Sequence, residues 1–238
     1  MRVAIIRFPG TNCDLDTYHV LRNVLRVPAD LTWHEEVDLA SYDAVVLPGG
    51  FSYGDHLRAG IIAAYSPAMQ QVKKAARDGK PILGICNGFQ ILVEAKLLPG
   101  ALLRNAGLRF VCKWVNLRVD STRTAFTSGL KKGTTMLRMP IAHNEGRYFL
   151  DEKSITELER NGQVVFTYVD DKGNATEEAN PNGSLSNIAG VSNEEGNVVG
   201  LMPHPERASE KILSPFGGSN GLAILDALAK NMEVTVSR

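Results

Sequence analysis

Gly84-Ile85-Cys86-Asn87-Gly88 is the stretch of this sequence best suited to covalent chemistry. An apolar run precedes it and a helical pattern over residues 89–96 follows, so a buried strand is expected to turn abruptly into a helix with Cys86 at the bend. The flanking glycines leave room where side chains would collide in so tight a turn. The bend presents the thiol at the carboxyl end of the strand, and the helix N-terminus favours the thiolate, which is the nucleophilic form. A lone cysteine in an apolar run is also commonly a core residue, and on the local motif alone that reading stays open.

A nucleophile of this kind needs a base, and Pro203-His204-Pro205-Glu206 supplies one after the apolar run 198–202. His204 can accept the thiol proton, while Glu206 can bond the far imidazole nitrogen, fixing the tautomer and stabilising the imidazolium. The competing reading is a histidine that only caps a turn. The oxyanion of a tetrahedral intermediate needs donors, and the residue after the nucleophile, Asn87, offers its backbone N–H. A second donor must come from another loop. Pro48-Gly49-Gly50-Phe51 ends the apolar run 43–47, and its glycines permit close backbone approach, although an ordinary Gly-Gly turn fits the same spacing.

The elements that must position these groups read as α/β. Residues 2–8, 43–47 and 81–85 are short apolar runs, separated by helical patterns around 15–25 and 57–77, which is a βαβαβ order. Runs as continuous as Ala44-Val45-Val46-Leu47 suit central strands of a parallel sheet buried on both faces, where ligands gather at the carboxyl ends. In the second half, 110–119, 136–141, 163–169, 188–191 and 198–202 read as strands between turns, so the sheet is expected to continue in mixed or antiparallel form. Residues 151–162 and 171–187 read as loops, and 220–231 as a closing helix. Residues 1–238 are expected to form a single domain, with no internal repeat.

Composition narrows the partners. Lys plus Arg equals Asp plus Glu at 26 each, which removes the attraction that nucleic acid or an anionic membrane would need. No run approaches the roughly 18 apolar residues of a membrane span, and the first residues lead into a polar turn without a long secretory core, so a cytoplasmic location is expected. The three cysteines form an odd set without Cys-x-x-Cys spacing, which suggests neither a disulfide framework nor a zinc site. Cys13 follows a turn-like segment, and Cys112 lies in a strand pattern that suits simple core; neither has an elbow. His143 lies near Glu145 and Arg147, and divides evenly between a partner-facing role and local hydrogen bonding. His19 and His34 read as amphipathic surface.

With Gly84-x-Cys86-x-Gly88-x-Gln90, Pro48-Gly49-Gly50 and Pro203-His204-Pro205-Glu206 in this order, the chain resembles the class I (triad) glutamine amidotransferases over most of its length. Within them it is most similar to the family of glutaminase subunits of phosphoribosylformylglycinamidine synthase. Several stretches carry that narrower resemblance: Gly10-Thr11-Asn12-Cys13-Asp14, Gly49-Gly50-Phe51-Ser52-Tyr53-Gly54-Asp55, Leu57-Arg58-Ala59-Gly60, Pro140-Ile141-Ala142-His143, Glu145-Gly146-Arg147-Tyr148 and Asn180-Pro181-Asn182-Gly183-Ser184. Asn144 and His56 depart from it, since the family often has Gly and Tyr at those places.

The resemblance implies a flavodoxin-like α/β fold with a mostly parallel sheet flanked by helices and added antiparallel strands. It implies Cys86 as nucleophile, His204 as base, Glu206 as its orienting partner, the Gly50 and Asn87 N–H groups as the oxyanion hole, and Gln90 and Phe51 as contacts to substrate glutamine. It further implies no metal or cofactor in this chain, with ATP and Mg held by a synthetase partner, because no phosphate-binding Gly-x-x-x-x-Gly-Lys-Ser/Thr loop is present. A small bridging subunit between the two is left open. The rival readings are a glutaminase serving another synthetase, a non-catalytic regulatory subunit of the same fold, and a stand-alone cysteine hydrolase.

Overall fold

The apolar run near the N-terminus forms strand β1 (Val3–Arg7), and Asp14 and Asp16 open helix α1 (Asp14–His19), where acidic side chains suit the helix N-terminus. The computed structural model describes residues 2–236. α1 runs on into a wider turn over Val20–Val24, closed by the Leu25 N–H donating to the Val20 carbonyl at 2.9 Å. Strands β2 (Ala29–Trp33) and β3 (Ala44–Leu47) follow, the first of them not anticipated from its polar-laced sequence.

The expected single helix over 57–77 is instead two, α2 (Ile61–Ala64) and α3 (Pro67–Arg77). Pro67 has no N–H to continue a preceding helix but suits the first position of a new one, so Ser66-Pro67 starts again. Strand β4 (Ile82–Ile85) then leads directly into α4 (Asn87–Glu94).

β5 (Ala101–Leu103), β6 (Val111–Val119), β7 (Met136–His143) and β8 (Arg147–Phe149) come next, with β5 and β8 pairing as a short separate ribbon. Residues 152–160, expected as loop, form helix α5 (Glu152–Arg160). Its Asp151 cap accepts the Ser154 N–H at 3.0 Å, and only Ile155 and Leu158 reach the core. A helix that buries two residues gives little periodic signal. β9 (Val164–Val169), β10 (Ile188–Ser192), β11 (Val198–Leu201) and the closing helix α6 (Leu222–Val236) complete the chain. The stretch before β10 is irregular as expected, tied by the Asn180 side-chain oxygen accepting the Gly183 and Ser184 N–H groups.

The main sheet has the order β2-β1-β3-β4-β11-β10-β9-β6-β7. Pairings from β2 through β11 are parallel and those beyond are antiparallel, as expected of a parallel sheet extended by antiparallel strands. Register matters most here. Leu47 pairs with Gly84, and Ile85 with Leu201, so β3, β4 and β11 end level and release Gly49-Gly50, Cys86 and the His204 segment at one edge.

Two expectations about single residues are corrected. Cys112 lies in β6 as expected but is exposed, on the end of the strand that pairs only with edge strand β7. His34 is buried rather than on the surface, its ring 5.6 Å from that of Phe8 and 5.9 Å from that of Tyr53. Among the described residues no helix is long and apolar enough to cross a membrane.

Candidate active site

Cys86 occupies the single residue between β4 and α4, at φ +50° and ψ −104°. A side chain other than glycine in such a region costs about 1–3 kcal/mol, sustained only where the surroundings dictate the conformation. They do so here. The Cys86 N–H donates to the Leu201 carbonyl at 2.8 Å, so the strand stays paired up to the bend. A methyl group on Gly88 would stand 1.9 Å from the Leu47 carbonyl oxygen, and one on Gly84 2.7 Å from the Gly88 backbone. Both glycines are therefore required by contact with backbone. The Cys86 sulfur points toward the end of β7, 3.8 Å from the Ala142 carbonyl.

His204 follows β11 after a Met-Pro step and is held by its own N–H donating to the Pro140 carbonyl at 2.9 Å. Its Nδ1 lies 2.6 Å from Glu206 Oε1, and both side chains are almost fully buried. A carboxylate only accepts, so this contact places the proton on Nδ1 and leaves Nε2 as the basic nitrogen. Among the described residues neither Nε2 nor Glu206 Oε2 has a hydrogen-bond partner. Burial opposes protonation of the imidazole, but the charges of the Glu206 carboxylate and then of the Cys86 thiolate outweigh it and raise the His204 pKa well above the ordinary value.

The Gly49-Gly50 turn lies against this pair, since a methyl group on Gly49 would meet His204 Cε1 at 2.8 Å. Gly50 bridges to Thr11 through bonds made by its neighbours: Asn12 N–H to the Gly49 carbonyl and Phe51 N–H to the Gly10 carbonyl. The Gly50 N–H takes part in neither. The Asn87 N–H is the first of α4, where no intrahelical acceptor exists.

Asn87 and Gln90 tie three loops together. The Asn87 side-chain oxygen accepts the Ser52 N–H at 3.1 Å, its amide donates to Gln90 Oε1 at 2.9 Å, and Gln90 Nε2 donates to the Glu145 carbonyl at 2.6 Å. Glu145 in turn accepts the Ala59 N–H. Beside them the Asp55 pKa is raised to about 6, by burial first and then by the Glu145 charge. Phe51, on the same turn as Gly50, is 44% exposed and makes no comparable tie.

His143 is buried and bonded locally: Nδ1 is 3.1 Å from Asn105 Oδ1, and the Asn105 amide returns a bond to the His143 carbonyl. Of the two roles left open for it, local bonding matches these contacts. Burial, then the nearby His204 charge, lowers its pKa to about 4.

Cys13 is the residue that sequence reasoning set aside and the structure brings in. Its sulfur is 3.9 Å from His204 Nδ1 and accepts a hydrogen bond from Arg207 Nη2 at 3.2 Å. No spacing rule could have paired residues so distant in the chain. The available signal was that Cys13 follows β1, whose carboxyl end lies beside that of β3.

A family model for the CobB/CobQ-like glutamine amidotransferase domain matches residues 1–222. The phosphoribosylformylglycinamidine synthase subunit PurQ of Thermomicrobium roseum is 57% identical over 238 residues, covering 100% of this chain and 99% of that protein. The subunit of the same name from Methanosarcina acetivorans is 56% identical over 229 residues, covering 96% and 97% respectively. A chain in the solved structure of PurLQS from Thermotoga maritima superposes with a TM-score of 0.84 at 42% identity, covering 97% of this chain and 98% of that one.

Proposed function

This chain belongs to the CobB/CobQ-like glutamine amidotransferase family and, within it, to the PurQ subunits of phosphoribosylformylglycinamidine synthase, and from that premise we propose that it is the glutaminase subunit of such an enzyme. It hydrolyses glutamine and delivers the ammonia to a PurL-type synthetase subunit, with a small PurS-type subunit joining them. The synthetase converts formylglycinamide ribonucleotide to its amidine, and ATP and Mg belong to that partner. We treat residues 1–238 as one glutaminase domain acting in the cytoplasm, in keeping with a core cluster that runs from Val3 to Leu228.

The observation that carries the mechanism is the strained Cys86 bend at the same sheet edge as the buried His204–Glu206 pair. His204 Nε2 takes the Cys86 proton, and the sulfur forms a bond to the side-chain amide carbon of glutamine. The carbonyl oxygen gains the negative charge, stabilised by the Asn87 and Gly50 N–H groups. The C–N bond then breaks, and His204 returns the proton to the departing nitrogen, releasing ammonia. Water, deprotonated by the same nitrogen, attacks the thioester; the C–S bond breaks, glutamate leaves and the thiol is restored. Glu206 keeps Nδ1 protonated throughout and stabilises the imidazolium. Gln90 and Phe51 flank the substrate, Gln90 by holding the Glu145 segment in place.

The test is Cys86→Ala assembled with the native synthetase. Glutamine-dependent synthesis should vanish while synthesis from added ammonium salts continues, because only the ammonia source is removed. Loss of both would refute the division of labour.

A further inference from the structure

We propose that Cys13, His204 and Glu206 form a binding site for a thiophilic divalent cation, of which Zn2+ is the chemical type, and that its occupation holds the histidine in an inactive state. The ligand atoms are one cysteine sulfur, one imidazole nitrogen and one carboxylate oxygen, all buried and all within 4.8 Å of one another. A mixed sulfur, nitrogen and oxygen set of this kind selects zinc or cadmium over magnesium or calcium.

The spacing suits the metal. Bonds of about 2.3 Å to sulfur and about 2.0–2.2 Å to nitrogen and oxygen put tetrahedral ligands about 3.5 Å apart. The present sulfur to Nδ1 separation of 3.9 Å needs to close by only a few tenths of an ångström. Nδ1 and Oε1, at 2.6 Å, must separate, but Glu206 carries a second oxygen that is buried and has no hydrogen-bond partner. A small rotation of the carboxylate offers that oxygen to the metal instead. Cys13 thus stands beside a buried, unpartnered acceptor.

A cavity of about 630 Å3 lies on the outer side of Glu206, with Asp16, His19, Arg207 and Glu210 in its wall. Its two outer carboxylates, Asp16 and Glu210, are paired with Arg207 and His19. Arg207 is the opposing charge, but it is paired with Asp16 at 3.2 Å; burial raises the Cys13 pKa, so the thiol is the resting form and the Arg207 contact offsets that rise only in part.

Binding releases one proton to solvent, from the Cys13 thiol, while the ring proton displaced from Nδ1 moves to Nε2. The metal then holds Nδ1, and the ring proton sits on Nε2. That nitrogen can no longer take the proton of Cys86. Inhibition rests on the glutaminase reading above, whereas metal binding does not, so the two are tested separately.

The binding test is titration of the full chain with Cd2+ alone, read by thiolate-to-metal charge-transfer absorbance. Wild type and a Cys86→Ser/Cys112→Ser variant, in which Cys13 is the remaining thiol, should both show a band saturating at one equivalent. Cys13→Ser should bind more weakly by on the order of 10–100-fold or more, with thermal unfolding confirming that it is folded. The inhibition test adds Zn2+ to the assembled synthase: glutamine-dependent turnover should fall, chelation should restore it, and Cys13→Ser should lose most of the sensitivity relative to its own metal-free rate. A band that is absent from the Cys86→Ser/Cys112→Ser variant places the metal on Cys86 or Cys112 and overturns the proposal, as does the absence of any band in wild type. Binding without inhibition overturns the inactive-state half alone.

Discussion

Replacing Glu206 with Gln isolates what the carboxylate does to the histidine. The Nδ1 to Oε1 contact is 2.6 Å long and shut off from solvent, which makes it a charge-assisted hydrogen bond. Such bonds contribute about 1.5–3 kcal/mol, or roughly 10- to 150-fold in rate if the imidazolium is present only in the transition state. The amide brings a second difficulty. If its oxygen keeps the place of Oε1, its NH2 group falls where Oε2 now stands, a buried position that makes no hydrogen bond among the described residues. If it turns over, its NH2 donates to Nδ1 and forces the ring proton onto Nε2, the wrong tautomer, at a cost of up to about 10⁴ in kcat. Glu206→Gln should therefore lower kcat of the assembled enzyme by about 10²–10⁴ with KM for glutamine little changed, because glutamine binding does not use this carboxylate. Steady-state glutaminase assays of the reconstituted complex read both constants. A kcat within twofold of wild type would refute the role assigned to the pair.

Gly88→Ala should cost about 3 kcal/mol or more, at or beyond the upper end of overpacking, because the obstructing atom is the Leu47 carbonyl of a paired strand and cannot step aside; an unchanged denaturation midpoint would disprove that contact. His143 has a folded-state pKa near 4, below its ordinary value. The stability its neutral form contributes is present above about pH 6.5 and lost as pH falls through 4, up to about 3 kcal/mol. His204 shifts the other way, so its contribution is already complete below 6.5 and does not mask this loss. His143→Asn should flatten the fall in stability between pH 6.5 and 4 in denaturant titrations, and parallel curves for the two proteins would count against the assignment.

What could be read in advance, and what could not, follows from how each residue acts. The Cys86 bend and the Pro203–Glu206 segment were legible because short-range geometry demands particular neighbours: two glycines about a tight turn, an acid two residues from a base. β1, β3 and β4 were legible because strands buried on both faces are continuously apolar, whereas the polar-laced edge strand β2 was not. α5 was missed because it buries two side chains, and the α2–α3 break because the helical pattern continues across Pro67, which restarts the helix. Cys13 and His34 were misjudged for a common reason: their surroundings come from segments far away in sequence. Cys13 meets residues 191 and 194 positions later, and His34 meets Phe8 and Tyr53. Local pattern carries no information about such meetings.

The place of β11 has a consequence for how the molecule comes into being. This strand is among the last made and yet lies in the middle of the sheet, between β4 and β10. Until residues 198–201 have emerged, β4 is an open edge, and the Cys86 N–H lacks the Leu201 carbonyl that holds it. A nascent or truncated chain therefore has a thiol without its strained bend and without its base. Parallel pairing across so long a stretch is also slow to form. Incomplete chains are inert as glutaminases, and the hazard they carry is an unpaired, apolar strand edge that invites aggregation. Quality control during synthesis has to manage sticky β4, not stray ammonia.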